Sequence, residues 1–177
     1  MTPSRADRLT GIAVEALAAS GQRGVLLGGW GALGDGALPA SVIAIRDAPH
    51  EWLLPRMCAI VHHGGAGTTG AALRAGVPSI VVPLGFDQPF WGGRVYALGV
   101  GPRPISRRRL TAARLAAAIT HAVTDDGMRA RAAALGASLR AERGVDVAVA
   151  DLEAIAAQWR DPVRHVVPMR TVSAGRP

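Results

Sequence analysis

The chain has 177 residues, a formal net charge of +7 and a hydrophobic share of 49%. This length and composition allow one domain with a proper core, and they exclude a chain that is disordered throughout. No apolar run approaches the ~20 residues that span a bilayer, so we expect no stable membrane insertion.

The positive charge comes from arginine alone, since the sequence holds 20 basic residues and no lysine. Such a charge can indicate a nucleic-acid or anionic-membrane partner. Apart from Arg107, Arg108 and Arg109, however, the arginines are dispersed, and no aromatic residues alternate with them for base stacking. We therefore expect a solvated basic surface and no nucleic-acid partner.

Cys58 is the single cysteine. A disulfide framework is thereby excluded, which favours a cytoplasmic location. Because Cys58 stands in an apolar run, we expect it to be a small buried side chain.

Short apolar runs alternate with helical patterns through the first hundred residues. Four runs predict strands, at 24–28, 42–45, 59–61 and 79–82, and those at 24–28 and 59–61 are expected to be buried. Helical spacing and end signals predict helices at 5–20, 51–57, 68–75 and 90–98. Strands that alternate with helices indicate an α/β fold, a Rossmann-like parallel sheet flanked by helices.

Beyond Gly101 the pattern is helical only. Thr111 is expected to cap a helix with Leu115, Ile119 and Val123 on one face. Two more C-terminal helices are marked by apolar residues over 128–139 and 145–159. We expect one domain over 1–160 and an irregular tail over 161–177.

The stretch from Ile60 to Pro78 has the order strand, glycine-rich loop, helix. Its glycines let the backbone turn tightly and approach a ligand, and Thr68 or Thr69 is expected to cap the helix. A helix start offers free N–H groups and a partial positive charge to an anion. With the added donors of His62 and His63, the expected ligand is a phosphate or diphosphate.

Three motifs in fixed order resemble the donor-binding signature of family 1 glycosyltransferases: HHGGAGTT at 62–69, AGVP at 75–78 and DQ at 87–88. The sterol glucosyltransferase and the erythromycin- and vancomycin-type antibiotic branches are the most similar. The resemblance runs from about Leu9 to about Trp159. It implies one half of a GT-B enzyme that moves a hexose, with inversion, from a UDP or dTDP sugar to a hydroxyl of a lipid, sterol or polyketide-like acceptor.

The resemblance also implies roles for individual residues. The expected phosphate-binding residues are His63, Gly64, Gly65, Ala66, Gly67 and Thr68. Asp87 and Gln88 are expected to bind sugar hydroxyls, as a carboxylate and an amide can. Trp30 and His50 are expected on the nucleoside side. No residue of this chain is expected to be catalytic.

Other interpretations stay open for some of these residues. Trp30 fits an ordinary core or surface tryptophan equally well, and its G-x-G-x-x-G surroundings at 29–34 are followed by a strand and not by the helix that a dinucleotide site needs. His62 is expected to be structural. Asp87 and Gln88 form a pair that can simply cap the next helix.

A metal site is not expected. Adjacent histidines rarely chelate one metal, and Leu54 stands where an H-E-x-x-H motif starting at His50 would need its second histidine. The resemblance likewise implies no cofactor, with the nucleotide sugar as co-substrate.

Enzymes of the resembled family have two Rossmann-like domains, and the N-terminal one binds the acceptor and commonly carries the base. This sequence matches neither that domain nor the strand that opens the C-terminal one. We therefore expect a donor-binding half without its first strand: a truncated product, a misassigned start, or part of a split enzyme with an N-terminal acceptor domain in trans. The alternative is a non-catalytic nucleotide-sugar-binding or partner module.

Overall fold

A computed structural model describes residues 5–28 and 37–159 of the chain. The chain divides into two units, Met1–Arg140 and Ala141–Pro177. The expected boundary at residue 160 falls where the described residues end, so the domain over 1–160 and the tail over 161–177 stay a prediction.

All four predicted strands are present, each within two residues of its expected bounds: β1 Gly24–Leu27, β2 Val42–Ile45, β3 Ile60–His62 and β4 Ser79–Val81. β1 pairs with β2 and β3 with β4, both in parallel. The α/β class is confirmed. Among the described residues, however, the strands form two separate parallel pairs and not one continuous sheet.

Seven helices lie in the described ranges: α1 Arg5–Ser20, α2 His50–Leu53, α3 Ala66–Ala75, α4 Gln88–Ala97, α5 Ala112–Thr124, α6 Asp126–Ala141 and α7 Gly144–Trp159. The helix predicted over 51–57 is split into α2 and a 3-10 turn at Leu54–Arg56. Pro55 explains the split, because it has no N–H for an α-helical bond. Thr111 caps α5 as predicted, accepting the Arg114 N–H at 3.3 Å.

The core of the first unit is built around β4. Ile80 packs into a cluster formed by side chains of α1, α5 and α6, namely Ala16, Leu115, Ala116, Ile119, Ala122 and Met128. The next residue, Val81, packs with Val95, Val100 and Ala132. Since successive strand residues face opposite sides, β4 is covered on both faces. The carboxyl end of β4 is therefore anchored in the core.

Three expectations about burial are wrong. Cys58 is exposed, with its Sγ 4.0 Å from Oε1 of Gln22. All four residues of β1 are half-buried and not buried, and in β3 the Val61 side chain is 44% exposed. Among the described residues, β1 pairs only with β2 and β3 only with β4, so each strand has one edge that no described strand covers. Within the described ranges, no helix is long and apolar enough to cross a membrane.

We predict that Gly136→Ala destabilises the chain by roughly 1–3 kcal/mol. A Cβ at Gly136, buried in α6, would lie 2.6 Å from the Gly76 Cα and 2.9 Å from the Leu73 carbonyl oxygen, which are backbone atoms that cannot rotate away. Gly93→Ala in α4 is the matched control, because a Cβ there meets nothing within 4 Å. It should stabilise by about 0.5–1 kcal/mol through helix propensity. Urea unfolding measures both, and equal effects would contradict the packing.

Candidate functional site

The glycine-rich turn between β3 and α3 is held by close packing. Gly64 has φ 91°, in the left-handed region that favours glycine. A Cβ at Gly64 would also lie 2.6 Å from Cγ1 of Val81 and 3.1 Å from the carbonyl oxygen of Gln88. Gly64 is therefore required both for its backbone angle and for the approach of β4 and the start of α4.

The prediction that Thr68 or Thr69 caps α3 is wrong. The helix begins at Ala66, with Gly65 as an N-cap that offers no side-chain bond. Glycine at this position costs little compared with a capping side chain, so the helix can start one turn before the threonines. Thr69 lies inside the helix, where its Oγ1 donates to the Gly65 carbonyl at 2.9 Å.

This early start leaves backbone donors for a ligand. The first helical bond is donated by the Thr69 N–H, again to the Gly65 carbonyl at 2.9 Å. The N–H groups of Ala66, Gly67 and Thr68 therefore have no acceptor within the helix. Ala66 and Gly67 are exposed and Thr68 is half-buried, so these donors lie at an accessible, electropositive helix end.

The two histidines of the turn differ in environment. His63 is exposed, and its Nε2 lies 2.5 Å from the place where a Cβ on Gly65 would stand, so the ring covers the start of α3. His62 is 8% exposed, and its Nδ1 accepts the Gly64 N–H at 3.1 Å. His62 thus supports the turn from inside, while the exposed His63 ring lies over the helix start.

Burial lowers the pKa of His62 to about 4, with smaller contributions from the nearby positive charges of His63 and His50. His62 is therefore neutral at physiological pH, which keeps Nδ1 free to accept the Gly64 N–H. The influence of His50 also places this exposed first residue of α2 near the turn. Its role beside the nucleoside stays a prediction.

Asp87 and Gln88 stand where β4 leads into α4. The Asp87 side chain does not cap the helix, and instead its Oδ2 accepts the Trp91 indole N–H at 2.8 Å. The Oε1 of Gln88 accepts two backbone N–H groups, from Leu84 at 2.7 Å and from Gly85 at 3.1 Å. The simple capping interpretation is therefore not what the structure has. Both side chains are fixed in orientation by their partners.

The loop before this pair carries features that the sequence did not indicate. Phe86 has φ 56°, uncommon for an aromatic residue, and its side chain is fully exposed. Leu84 and Phe90 beside it are 49% and 62% exposed. No sequence signal marks a left-handed phenylalanine. The Asp87–Trp91 bond, by contrast, follows the i,i+4 spacing of a helix start and could have been anticipated.

The structure places the predicted phosphate-binding residues next to the predicted sugar-binding pair. Besides its contact with the Gln88 carbonyl, a Cβ on Gly64 would lie 3.5 Å from the Gln88 Cβ, so the predicted phosphate turn adjoins the predicted sugar pair. Trp30 and the rest of its loop lie outside the described residues. In the described ranges, no group of three or more histidine, cysteine or acidic side chains is placed to hold a metal.

Comparison with known families matches residues 32–155 to the erythromycin biosynthesis protein CIII-like, C-terminal domain. The chain belongs to this family. A sterol 3-beta-glucosyltransferase of Arabidopsis thaliana is 45% identical over 144 residues, which cover 81% of this chain and 22% of the relative. The O-mycaminosyltylonolide 6-deoxyallosyltransferase of Streptomyces fradiae is 42% identical over 149 residues, which cover 84% of this chain and 34% of the relative.

Solved structures agree with this assignment. The glycotransferase of kitacinnamycin superposes with a TM-score of 0.68 at 32% identity, over 76% of this chain and 35% of that one. The glycosyltransferase VinC, solved in complex with dTDP, superposes with a TM-score of 0.60 at 26% identity, over 72% of this chain and 33% of that one. The fold is thus that of the C-terminal half of GT-B glycosyltransferases. This chain spans about a tenth to a third of the length of the curated relatives that it matches.

We predict that His62 makes stability depend on pH. Its pKa is about 4 in the folded chain against 6.5 unfolded, so the unfolded state takes up the proton first as the pH falls. The contribution of the neutral His62 to the free energy of unfolding is complete above pH 6.5. It is lost as the pH falls from 6.5 to 4, by roughly 3 kcal/mol in all.

His62→Asn isolates this effect from other titrating groups, because an asparagine oxygen can still accept the Gly64 N–H without a charge change. Urea unfolding measures the difference in free energy of unfolding between wild type and this variant. We expect that difference to be smaller at pH 4 than at pH 7, by roughly 3 kcal/mol. A difference that stays constant with pH would contradict a buried neutral His62.

Proposed function

We propose that this chain is the donor-binding half of an inverting glycosyltransferase that moves a hexose from a UDP or dTDP sugar to a hydroxyl of a lipid, sterol or polyketide-like acceptor. The observation that carries the proposal is the packing of Gly64 against Gln88. It sets an uncapped helix start, suited to a diphosphate, beside a carboxylate and an amide, suited to a sugar. The transferase names of the relatives favour this function over a non-catalytic module.

The phosphate end of the donor would bind at the start of α3. The free N–H groups of Ala66, Gly67 and Thr68 point at an anion, and the exposed His63 ring adds a donor above them. During transfer the acceptor oxygen bonds to the anomeric carbon while the bond to the diphosphate oxygen breaks. Negative charge then grows on the leaving diphosphate, where fixed donors stabilise it. The scheme uses these donors and needs no metal or other cofactor.

The sugar would lie against Asp87 and Gln88. With Oε1 occupied by the Leu84 and Gly85 N–H groups, the Gln88 amide nitrogen has no partner among the described residues and can donate to a hydroxyl. Asp87 keeps one carboxylate oxygen beyond its bond to Trp91. The two groups offer a donor and acceptors in fixed geometry, as discrimination between hydroxyl patterns requires.

The acceptor site and the catalytic base would come from an N-terminal domain, which we propose acts in trans if it is not part of the same polypeptide. The single exposed Cys58 fits a reducing cytoplasm as the place of the reaction. The dTDP named for VinC supports testing thymidine and uridine diphosphates together.

We predict that His63→Ala weakens binding of UDP or dTDP by about 1–3 kcal/mol, roughly 5- to 150-fold, because one donor to the diphosphate is lost. Calorimetric titration measures this. His121→Ala is the control, since His121 is also an exposed histidine but lies on α5. Unchanged affinity in the His63 variant would refute the phosphate assignment.

A second pair of variants tests sugar binding separately from diphosphate binding. Gln88→Glu keeps an oxygen for the Leu84 and Gly85 N–H groups but removes the amide donor, and Asp87→Asn keeps an acceptor for Trp91 but removes the charge. Both should weaken binding of the nucleotide sugar about 5-fold or more and leave the bare nucleoside diphosphate within about 2-fold. Equal losses for the two ligands would show that the pair only supports the loop.

We further predict that the isolated chain transfers sugar at no useful rate. Without the other half, the acceptor is not positioned and has no base, and general base catalysis alone contributes ~10²–10⁴-fold. The assay measures transfer by the pure chain and by the chain co-expressed with an N-terminal acceptor domain. Robust turnover by the pure chain would contradict the proposal.

A further inference from the structure

We propose that this chain also contributes a hydrophobic contact for the acceptor, formed by the exposed side chains of Leu84, Phe86 and Phe90, which we call the loop patch. The occupant we assign is the apolar ring skeleton next to the hydroxyl that receives the sugar. The identity of this occupant rests on the proposed function. The loop patch itself rests on the geometry of residues 84–91.

The three side chains of the loop patch are large, apolar and accessible. Phe86 is fully exposed, Phe90 is 62% exposed and Leu84 is 49% exposed. Single exposed apolar side chains are common on protein surfaces, whereas several that neighbour one another indicate a place where a ligand or partner binds. These three come from one short stretch, in which the loop after β4 leads into the first turn of α4. They therefore form a candidate binding surface.

Phe86 keeps its exposed position in spite of an unfavourable backbone angle. Its φ of 56° lies in the left-handed region, which costs free energy in a residue that has a Cβ. Because the ring is fully exposed, packing against the described residues does not offset this cost. Backbone strain that the fold does not need is typical of ligand-binding and catalytic sites. The angle therefore favours a role for the ring in binding.

Gln88 holds the backbone on the N-terminal side of Phe86. Its Oε1 accepts the N–H groups of Leu84 and Gly85, at 2.7 and 3.1 Å. The Gln88 N–H in turn donates to the Gly85 carbonyl at 3.3 Å. The loop is thus closed on both sides of Phe86, and its ring is presented to solvent in a fixed place.

Asp87 holds the other aromatic ring of the loop patch. Its Oδ2 accepts the Trp91 indole N–H at 2.8 Å, which fixes the indole. The Trp91 and Phe90 rings meet edge to face, with 5.2 Å between their centroids and 78° between their planes. The two residues that we propose bind the sugar therefore also position the apolar side chains next to it.

The loop patch lies where an acceptor has to arrive. It follows the carboxyl end of β4, the edge at which parallel sheets bind their ligands. Gln88 lies against the glycine-rich turn, since a Cβ on Gly64 would be 3.5 Å from the Gln88 Cβ. Phe86 stands at the other end of the polar pair, and its fully exposed ring does not pack on the turn. This order of turn, polar pair and ring matches the order of diphosphate, sugar and acceptor in an inverting displacement.

The size and chemistry of the loop patch favour a small molecule over a protein. A stable protein interface takes about 20–30 residues from each side. The loop patch offers three side chains, two of them aromatic, beside one carboxylate and one amide. Aromatic and apolar surface with a few polar groups beside it is typical of small-ligand sites. The occupant is therefore a flat apolar skeleton that carries a hydroxyl at its edge.

The first test is a ¹⁵N NMR titration of the purified chain, with and without UDP. The probe is hydrocortisone, a neutral steroid with hydroxyl groups, and sucrose is the polar control. We expect hydrocortisone to shift the amides of Gly85, Phe86 and Asp87 progressively up to its solubility limit, while sucrose leaves them unchanged. The proposal is overturned if hydrocortisone shifts none of these amides, if the shifts lie only in other parts of the chain, or if sucrose shifts the same amides equally.

Phe86→Asn tests the ring itself, because asparagine adopts the left-handed conformation more readily than phenylalanine does. The hydrocortisone shifts should fall about 5-fold or more at equal probe concentration, since the apolar contact is lost. The urea midpoint should rise, since the strain is relieved. Ile43→Thr is the matched control, because Ile43 is also an exposed large apolar side chain but lies on β2, and it should leave the shifts as in wild type.

Two outcomes for Phe86→Asn would overturn the proposal. Unchanged hydrocortisone shifts would show that the ring makes no contact with the probe. A lower urea midpoint would show that the ring serves the fold.

Calorimetry on the same samples separates the acceptor contact from donor binding. Phe86→Asn should leave the affinities for UDP and UDP-glucose within about 2-fold of wild type. Loss of UDP-glucose affinity alone would place the ring in the sugar site and overturn the proposal. In the wild-type chain, nucleotide binding without hydrocortisone binding would overturn the loop patch alone. Hydrocortisone binding without nucleotide binding would leave the loop patch as an apolar site and overturn the proposed function.

Discussion

The site depends on one close contact, the approach of Gly64 to β4 and to the first residue of α4. Nothing larger than a hydrogen atom fits between the Gly64 Cα, the Val81 side chain and the Gln88 carbonyl. This contact ties the start of one helix to the start of another, and both helices follow adjacent parallel strands. The glycine-rich turn and the Asp87–Gln88 pair are therefore neighbours because of backbone packing, and no side-chain bond that solvent could replace is needed to hold them together.

The electrostatics of the turn come from the backbone more than from charged side chains. His62 is kept neutral by burial, and the helix start offers N–H groups without a capping residue. Several arginines are engaged elsewhere. Arg131 donates to the Gly99 carbonyl at 2.9 Å, Arg74 to Leu139 at 2.9 Å, and Arg140 to Arg74. These carbonyls lie near helix carboxyl ends, where cations are stabilising. These three arginines thus have a structural role.

The sequence predicted element types and order well, because helical spacing and short apolar runs report local periodicity. It located both ends of α1 and the start of α5, and it recognised the turn from its glycines. It misjudged features decided by neighbours distant in sequence. Cys58 sits in an apolar run but is exposed, since burial depends on whether β1 and β3 pair. The start of α3 moved to Ala66 because a glycine N-cap was sufficient.

The candidate site, too, could be predicted from the sequence only in part. The residue types at positions 62–69 and 87–88 were enough to predict a phosphate turn and a polar pair. The bonds of Gln88 to Leu84 and Gly85 were not predictable, because they form in a loop whose left-handed Phe86 has no sequence signature. Only the Asp87–Trp91 bond follows from helical spacing. The nucleoside side stays a prediction, since Trp30 lies outside the described residues.

The central claim is that a nucleoside diphosphate binds at the start of α3 beside Gln88. The most direct measurement is a ¹⁵N NMR titration of the chain with dTDP and UDP. We expect saturable shifts of the amides of Gly65, Ala66, Gly67 and Thr68, with smaller shifts at Leu84 and Gly85, and none at the far end of α3 near Arg74. Absence of saturable shifts at the turn, or shifts confined to other parts of the chain, would contradict the account.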